Sequence, residues 1–118
     1  MRSISRAAAA IEILEDYLIG KPIELTLKKW FRNNRFAGSN DRNLIRDIIF
    51  EILRRRRSLV YPFQVNGYKE NARILVLSYL VDYYELSSLI EKITNNRYFP
   101  DPPSQKEIDI LENKKNFL

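Results

Sequence analysis

The chain has 118 residues, of which 45% are apolar and 30% charged, and its formal net charge is +5. That is one domain's worth of sequence, with the balance of a soluble globular protein and enough apolar residues for a single core. Neither cysteine nor histidine occurs, which excludes disulfides, thiolate nucleophiles, Cys/His zinc sites and serine–histidine catalysis.

The first predicted helix covers about Ser3 to Ile19. Ile4, Ala7, Ala8, Ile11, Leu14 and Leu18 recur at helical spacing, and Gly20 stands where a C-terminal cap belongs. Its alanines leave room for another helix to approach closely. Pro22 suits the first position of a second helix, and Glu24 is favourable in the first turn. Ile23, Leu27, Trp30 and Phe31 give that helix one core-facing stripe, with Lys28, Lys29 and Arg32 around the rest. Asn33 to Gly38 reads as a loop.

Ser39 is the expected N-cap of a third helix, and Asp41 complements its positive end. Leu44, Ile48 and Ile52 form one row with Ile45, Ile49 and Leu53 beside it, the mark of a helix buried along its length. It ends in Arg54, Arg55, Arg56 and Arg57, before Pro62. Asn66 and Gly67 make a turn. Ala72 to Tyr84 is apolar almost all round, as a central helix would be. Leu86, Leu89, Ile90 and Ile93 mark a short amphipathic helix, and residues 100–103 a stiff proline-rich connector. Ser104 and Glu107 form a capping box for a last helix, with Ile108 and Leu111 as a weak stripe. The expected architecture is all-α: a single helical bundle over 1–118, its core about 3–95 and its C-terminal helix about 104–116.

The longest uncharged apolar stretch, Ile74 to Val81, is too short to span a bilayer. Glu12, Glu15 and Asp16 interrupt any signal-peptide core. A cytoplasmic chain without membrane attachment is the expectation.

Charge is distributed unevenly. Residues 1–68 hold 13 basic and 7 acidic side chains, whereas residues 69–118 hold 7 and 8. Residues 28–57 alone hold ten basic and three acidic side chains. A basic half on a near-neutral half points to a polyanionic partner. Four consecutive arginines cannot share a helix face, because each residue advances by about 100°. Some must meet solvent or a partner while others lie along the bundle. A purely structural account of the run rests on Glu51 pairing with Arg54 and Arg55, on the helix C-terminus favouring cations, and on apolar arginine stems. Guanidinium groups hold phosphate in bidentate geometry, so the arginine enrichment suits nucleic acid. The candidate RNA-contacting residues are Lys28, Lys29, Arg32, Arg35, Arg42, Arg46 and Arg54, Arg55, Arg56, Arg57. Phe36, in the predicted loop, is the aromatic best placed to stack on a base. Trp30 and Phe31 complete a core stripe, and Tyr79, Tyr83 and Tyr84 are expected at the core and its boundary. The carboxylates, Glu12/Glu15/Asp16 and Asp41/Asp47/Glu51, are explained by solubility and helix pairing. The three glycines stand alone, so no nucleotide-binding loop is encoded.

The block Trp30 to Arg42, with Asp41-Arg42, Leu44-Ile45, Phe50 and Leu53-Arg54 following in register, resembles the NusB-like N-terminal domain of RsmB-type enzymes. These are SAM-dependent methyltransferases that act on cytosine C5 of small-subunit ribosomal RNA. The resemblance covers nearly the whole chain and is specific over residues 30–57. It departs from the family at Glu51, where many relatives carry glycine, and in a second half shorter than a full NusB fold. The resemblance implies RNA recognition in support of ribosomal RNA methylation, and adds Arg2 and Arg6 at the start of the first helix to the contact surface. The catalytic domain, with its nucleophilic cysteine, is absent from this sequence. The chain is therefore expected to be non-catalytic and to hold no cofactor, SAM belonging to the missing domain. A methyltransferase domain or a ribosomal protein is the expected protein partner. The alternative is a helical module that docks such a protein without reading RNA.

Overall fold

The computed structural model describes residues 1–116, and every regular element among them is helical. In order these are α1 (Ser3–Leu18), α2 (Ile23–Asn33), α3 (Ser39–Arg54), α4 (Arg56–Gln64), α5 (Ala72–Leu80), α6 (Leu86–Thr94) and α7 (Gln105–Asn116). The expected all-α bundle is what forms. No helix among the described residues is long and apolar enough to cross a membrane.

α1 is the hub. Ala7, Ala8, Ala9 and Ala10 are all buried, and their small side chains let α2, α3 and α5 pack directly on the helix. Ile11, Ile13 and Leu14 fill the remaining space and are buried almost completely; each contributes about 1.5–3 kcal/mol of transfer free energy. The helix stops where Gly20 takes φ +106°. The Gly20 N–H then donates to the Tyr17 carbonyl at 3.0 Å and the Lys21 N–H to the Asp16 carbonyl at 3.2 Å. This is the paired bonding of a Schellman cap. Gly67 (φ +88°) ends α4 in the same way, with Tyr68 N–H reaching Phe63 at 3.0 Å.

The helix starts differ in detail from expectation. Pro22 is the N-cap of α2 rather than its first residue, and its carbonyl accepts from the Thr26 N–H. Gly38, not Ser39, caps α3, and no side chain caps its free N–H groups. α4 was not expected at all. Arg55 breaks the path at φ −105°, ψ 14°, and the chain re-enters a helix that buries Leu59, Val60 and Phe63. Pro62 lies inside α4, where its ring removes one N–H from the ladder. α5 is shorter than expected, ending at Leu80, but it is central: seven of its nine residues are buried. Tyr83 lies beyond it and is exposed, against the boundary position expected.

α7 closes the bundle. Ser104 and Glu107 form the reciprocal capping box, with N–H···O distances of 2.8 and 3.1 Å. Glu107 is buried and also receives two bonds of 3.0 Å from Arg73 on α5. Near its other end, Lys114 bonds to Ser78 and pairs with Asp82 at 3.2 Å. The buried apolar stripe of α7 is Ile110 and Leu111, with Ile108 only half-buried. The core therefore extends past the expected 3–95 to Phe99, Ile110 and Leu111.

Candidate nucleic-acid interface

α2 separates its residues cleanly. Thr26 and Leu27 are buried, and Ile23, Trp30 and Phe31 are packed on the core at partial exposure. Leu25, Lys28, Lys29 and Arg32 follow i, i+3, i+4, i+7 and are all exposed, so they form one solvent-facing stripe. Arg35 continues it into the α2–α3 loop. None of these four cations has a carboxylate partner among the described residues.

The other candidates divide into engaged and open. Arg46 forks onto Glu24 with two bonds of 3.2 Å, and this hydrogen-bonded pair holds the Glu24 carboxyl below its ordinary range. Arg6 bonds to Asp41 at 3.1 Å and ties the start of α1 to the first turn of α3. Arg42 donates to the Ala37 carbonyl at 3.0 Å and lies 6.0 Å from the Phe31 ring centroid, bracing the loop. Arg2 is exposed.

The arginine run does not act as a unit. Arg55 bonds to Asp82 beyond α5 and approaches Glu51 at 4.0 Å. Arg56 forks onto Glu70 at 2.6 Å and lies 5.7 Å from the Tyr17 ring centroid. These two clamp the α3–α4 junction to its neighbours. Arg54 and Arg57 are exposed and have no ion-pair partner among the described residues. The expected Glu51–Arg54 pair does not form. Glu51 instead accepts the Tyr83 hydroxyl at 2.7 Å, which holds its carboxyl below the usual range. Nor do all ten cations of 28–57 converge. Arg42 and Arg54 lie at opposite ends of α3, roughly 18 Å apart along its axis.

The chain also folds a second surface next to the α2 stripe. A cleft of about 600 Å³ lies between the start of α1, the α2–α3 loop and the α6–α7 connection. Trp30, Phe36, Tyr98, Arg2 and Arg97 are among the residues that line it. Phe36 is 66% exposed and meets Trp30 edge-on at 6.3 Å. The Trp30 indole donates to one oxygen of Glu12 at 2.7 Å, which fixes the ring. Arg97 and Tyr98 were not singled out from sequence. Their only local signal is an Arg-Tyr pair in an otherwise unpatterned connection, and it becomes meaningful once Asn96 brings that connection against α1. The Asn96 amide donates to Ser5 at 3.0 Å, while its oxygen accepts the Tyr98 and Phe99 N–H groups.

A larger concavity, about 1510 Å³, is a groove elsewhere, between α4, the α5–α6 connection and α7. Exposed Tyr61, Val65 and Tyr83 line it, with Arg55, Asp82 and Lys114 beneath. Burial pushes the Lys114 ammonium down, and Asp82 opposes that shift. These charges cross-link helices to one another. No family model, curated protein or solved structure matches this chain.

Proposed function

We propose that this chain is an RNA-binding module that supports methylation of small-subunit ribosomal RNA, with the SAM-dependent catalytic domain lying outside it. The observation that carries the reading is the α2 stripe: Lys28, Lys29 and Arg32, continued by Arg35, exposed together and without carboxylate partners among the described residues. Cations held in this way remain available to phosphate, whereas Arg6, Arg46, Arg55 and Arg56 are already committed to carboxylates. The resemblance of residues 30–57 to RsmB-type N-terminal domains supplies the ribosomal context. The mechanism is electrostatic capture with counterion release, and the shape of a folded RNA selects it over DNA.

Fluorescence anisotropy on a small-subunit ribosomal RNA stem-loop and a matched DNA duplex, over a salt series, tests this. Tighter binding to RNA with a steep salt dependence is expected. Equal weak binding to both would refute it. A second reading, a module that docks a catalytic domain or a ribosomal protein, is favoured by the groove at α4 and α7, whose exposed Tyr61, Val65 and Tyr83 offer apolar contact area. A chain that ignores RNA yet binds such a protein would establish it.

A further inference from the structure

We infer that the cleft between α1, the α2–α3 loop and the α6–α7 connection receives one unpaired nucleobase of the RNA whose phosphates lie on α2; this rests on the RNA-binding reading above. Three features of the cleft point to a base rather than to phosphate alone or a peptide side chain.

The first is its walls. Phe36 and Tyr98 are 66% and 56% exposed, with the Arg97 guanidinium lying over the Tyr98 ring. Trp30 sets the back of the Phe36 side at 6.3 Å. Exposed aromatic faces flanking a concavity are the arrangement on which bases stack, and stacking tolerates any base because each has a π face. The volume, about 600 Å³, accommodates a nucleobase with its ribose.

The second is charge. Arg2 and Arg97 line the cleft without a carboxylate partner among the described residues. Among the described residues that line it, Glu12 is the one carboxylate; it keeps its charge and accepts the Trp30 indole N–H at 2.7 Å, so the two guanidiniums outnumber it. Arg97 lies 4.8 Å from the Tyr98 ring centroid and donates to its hydroxyl at 2.7 Å. A guanidinium so placed steadies the stacking ring and meets the phosphate that follows the base.

The third is the supply of edge groups. Asn34 donates its amide N–H to the Trp30 carbonyl at 2.8 Å, which leaves its side-chain oxygen as an acceptor at the cleft wall. Asn95 lines the same cleft with an exposed amide. Amides offer a donor and an acceptor together, the pair that base edges present. Arg35, which continues the α2 stripe, directly precedes Phe36 of the cleft wall, so one strand can lay phosphates on α2 and turn a base inward.

Trp30 is the only tryptophan in the chain and lies in the cleft wall, so its fluorescence reports occupancy directly. The full chain is titrated with a single-stranded oligouridylate, a blunt RNA duplex and inorganic polyphosphate, with anisotropy of labelled RNA followed in parallel. Saturable quenching by the single strand, absent with duplex and polyphosphate, is expected. The exposed-residue variant Phe36→Ala/Tyr98→Ala should weaken single-strand binding about tenfold, the scale of one lost stack, and leave duplex binding unchanged. RNA binding by anisotropy without quenching, or equal quenching by polyphosphate, would overturn the cleft assignment while leaving the RNA-binding reading intact. Absence of binding to every polyanion would overturn both.

Discussion

Replacing Lys28, Lys29, Arg32 and Arg35 together by Gln removes four exposed charges that form no ion pair among the described residues. Each cation that contacts a phosphate contributes about 0.7 to the salt slope on single strands and about 0.9 on duplex. If all four make such contacts, the slope should become shallower by roughly 3, from about 2.8 to 3.6 depending on strandedness. Between 50 and 200 mM salt, a slope change of that size alters affinity by on the order of a hundredfold. Stability should stay near wild type, because exposed substitutions that break no pair usually fall within about 0.5 kcal/mol. The assay is anisotropy of one labelled stem-loop at five or more salt concentrations, with urea melts on the same samples. Retention of the wild-type slope would refute the α2 stripe as the phosphate surface, since counterion release does not depend on which contacts are specific.

The remaining predictions concern what holds the bundle. Arg55→Gln/Arg56→Gln should lower stability by about 1–2 kcal/mol in urea melts, a figure discounted because both side chains are about a third exposed, and should leave the salt slope untouched; a shallower slope without destabilisation would contradict the division of the run. Glu107→Gln should cost about 2 kcal/mol near neutral pH by weakening the Arg73 pair and the capping box. Burial raises the Glu107 carboxyl, but Arg73 and the Ser104 N–H outweigh it and hold the group below its ordinary 4.5. Its contribution is therefore present above about pH 4.5 and lost as pH falls through the lower folded value, so the gap between wild type and variant should close in acid; a gap constant from pH 7 to 3 would sink this account. Gly20→Ala should cost about 1 kcal/mol from backbone strain alone, because φ is +106° and nothing lies within 4 Å of the added methyl; an unchanged melt would show that the cap relaxes.

Helices announced by an unbroken stripe or a cap were legible from residue order. α1 with Gly20, α6, and α7 with its Ser104–Glu107 box appear where periodicity and capping chemistry place them, and the central α5 starts there but stops at Leu80. α4 was hidden for a physical reason. Arg55 adopts a turn that no residue type marks, and Pro62 argues locally against the helix that tertiary burial of Leu59, Val60 and Phe63 imposes. The shift of the α3 cap from Ser39 to Gly38 is a boundary effect, since no side-chain bond fixes the start of the helix.

The candidate surface was legible in composition and illegible in assignment. Positive charge along residues 28–57 is a property of the sequence, but whether a given cation is free depends on carboxylates far away in the chain. Glu24 reaches Arg46 across 22 residues, Asp82 reaches Arg55 across 27, and Asp41 reaches Arg6 across 35. No local pattern encodes those pairings, because they follow from which helices pack together. The most conspicuous motif, four arginines in a row, thus splits between a structural clamp and two open residues. The plainer Lys28-Lys29 pair, which has no ion-pair partner among the described residues, makes the stronger binding candidate. Arg97 and Tyr98 carry the same lesson further. They come from the near-neutral half of the chain, yet folding places them across a cleft from Phe36. A charge map drawn along the sequence omits them, whereas one drawn on the folded surface joins them to the α2 stripe.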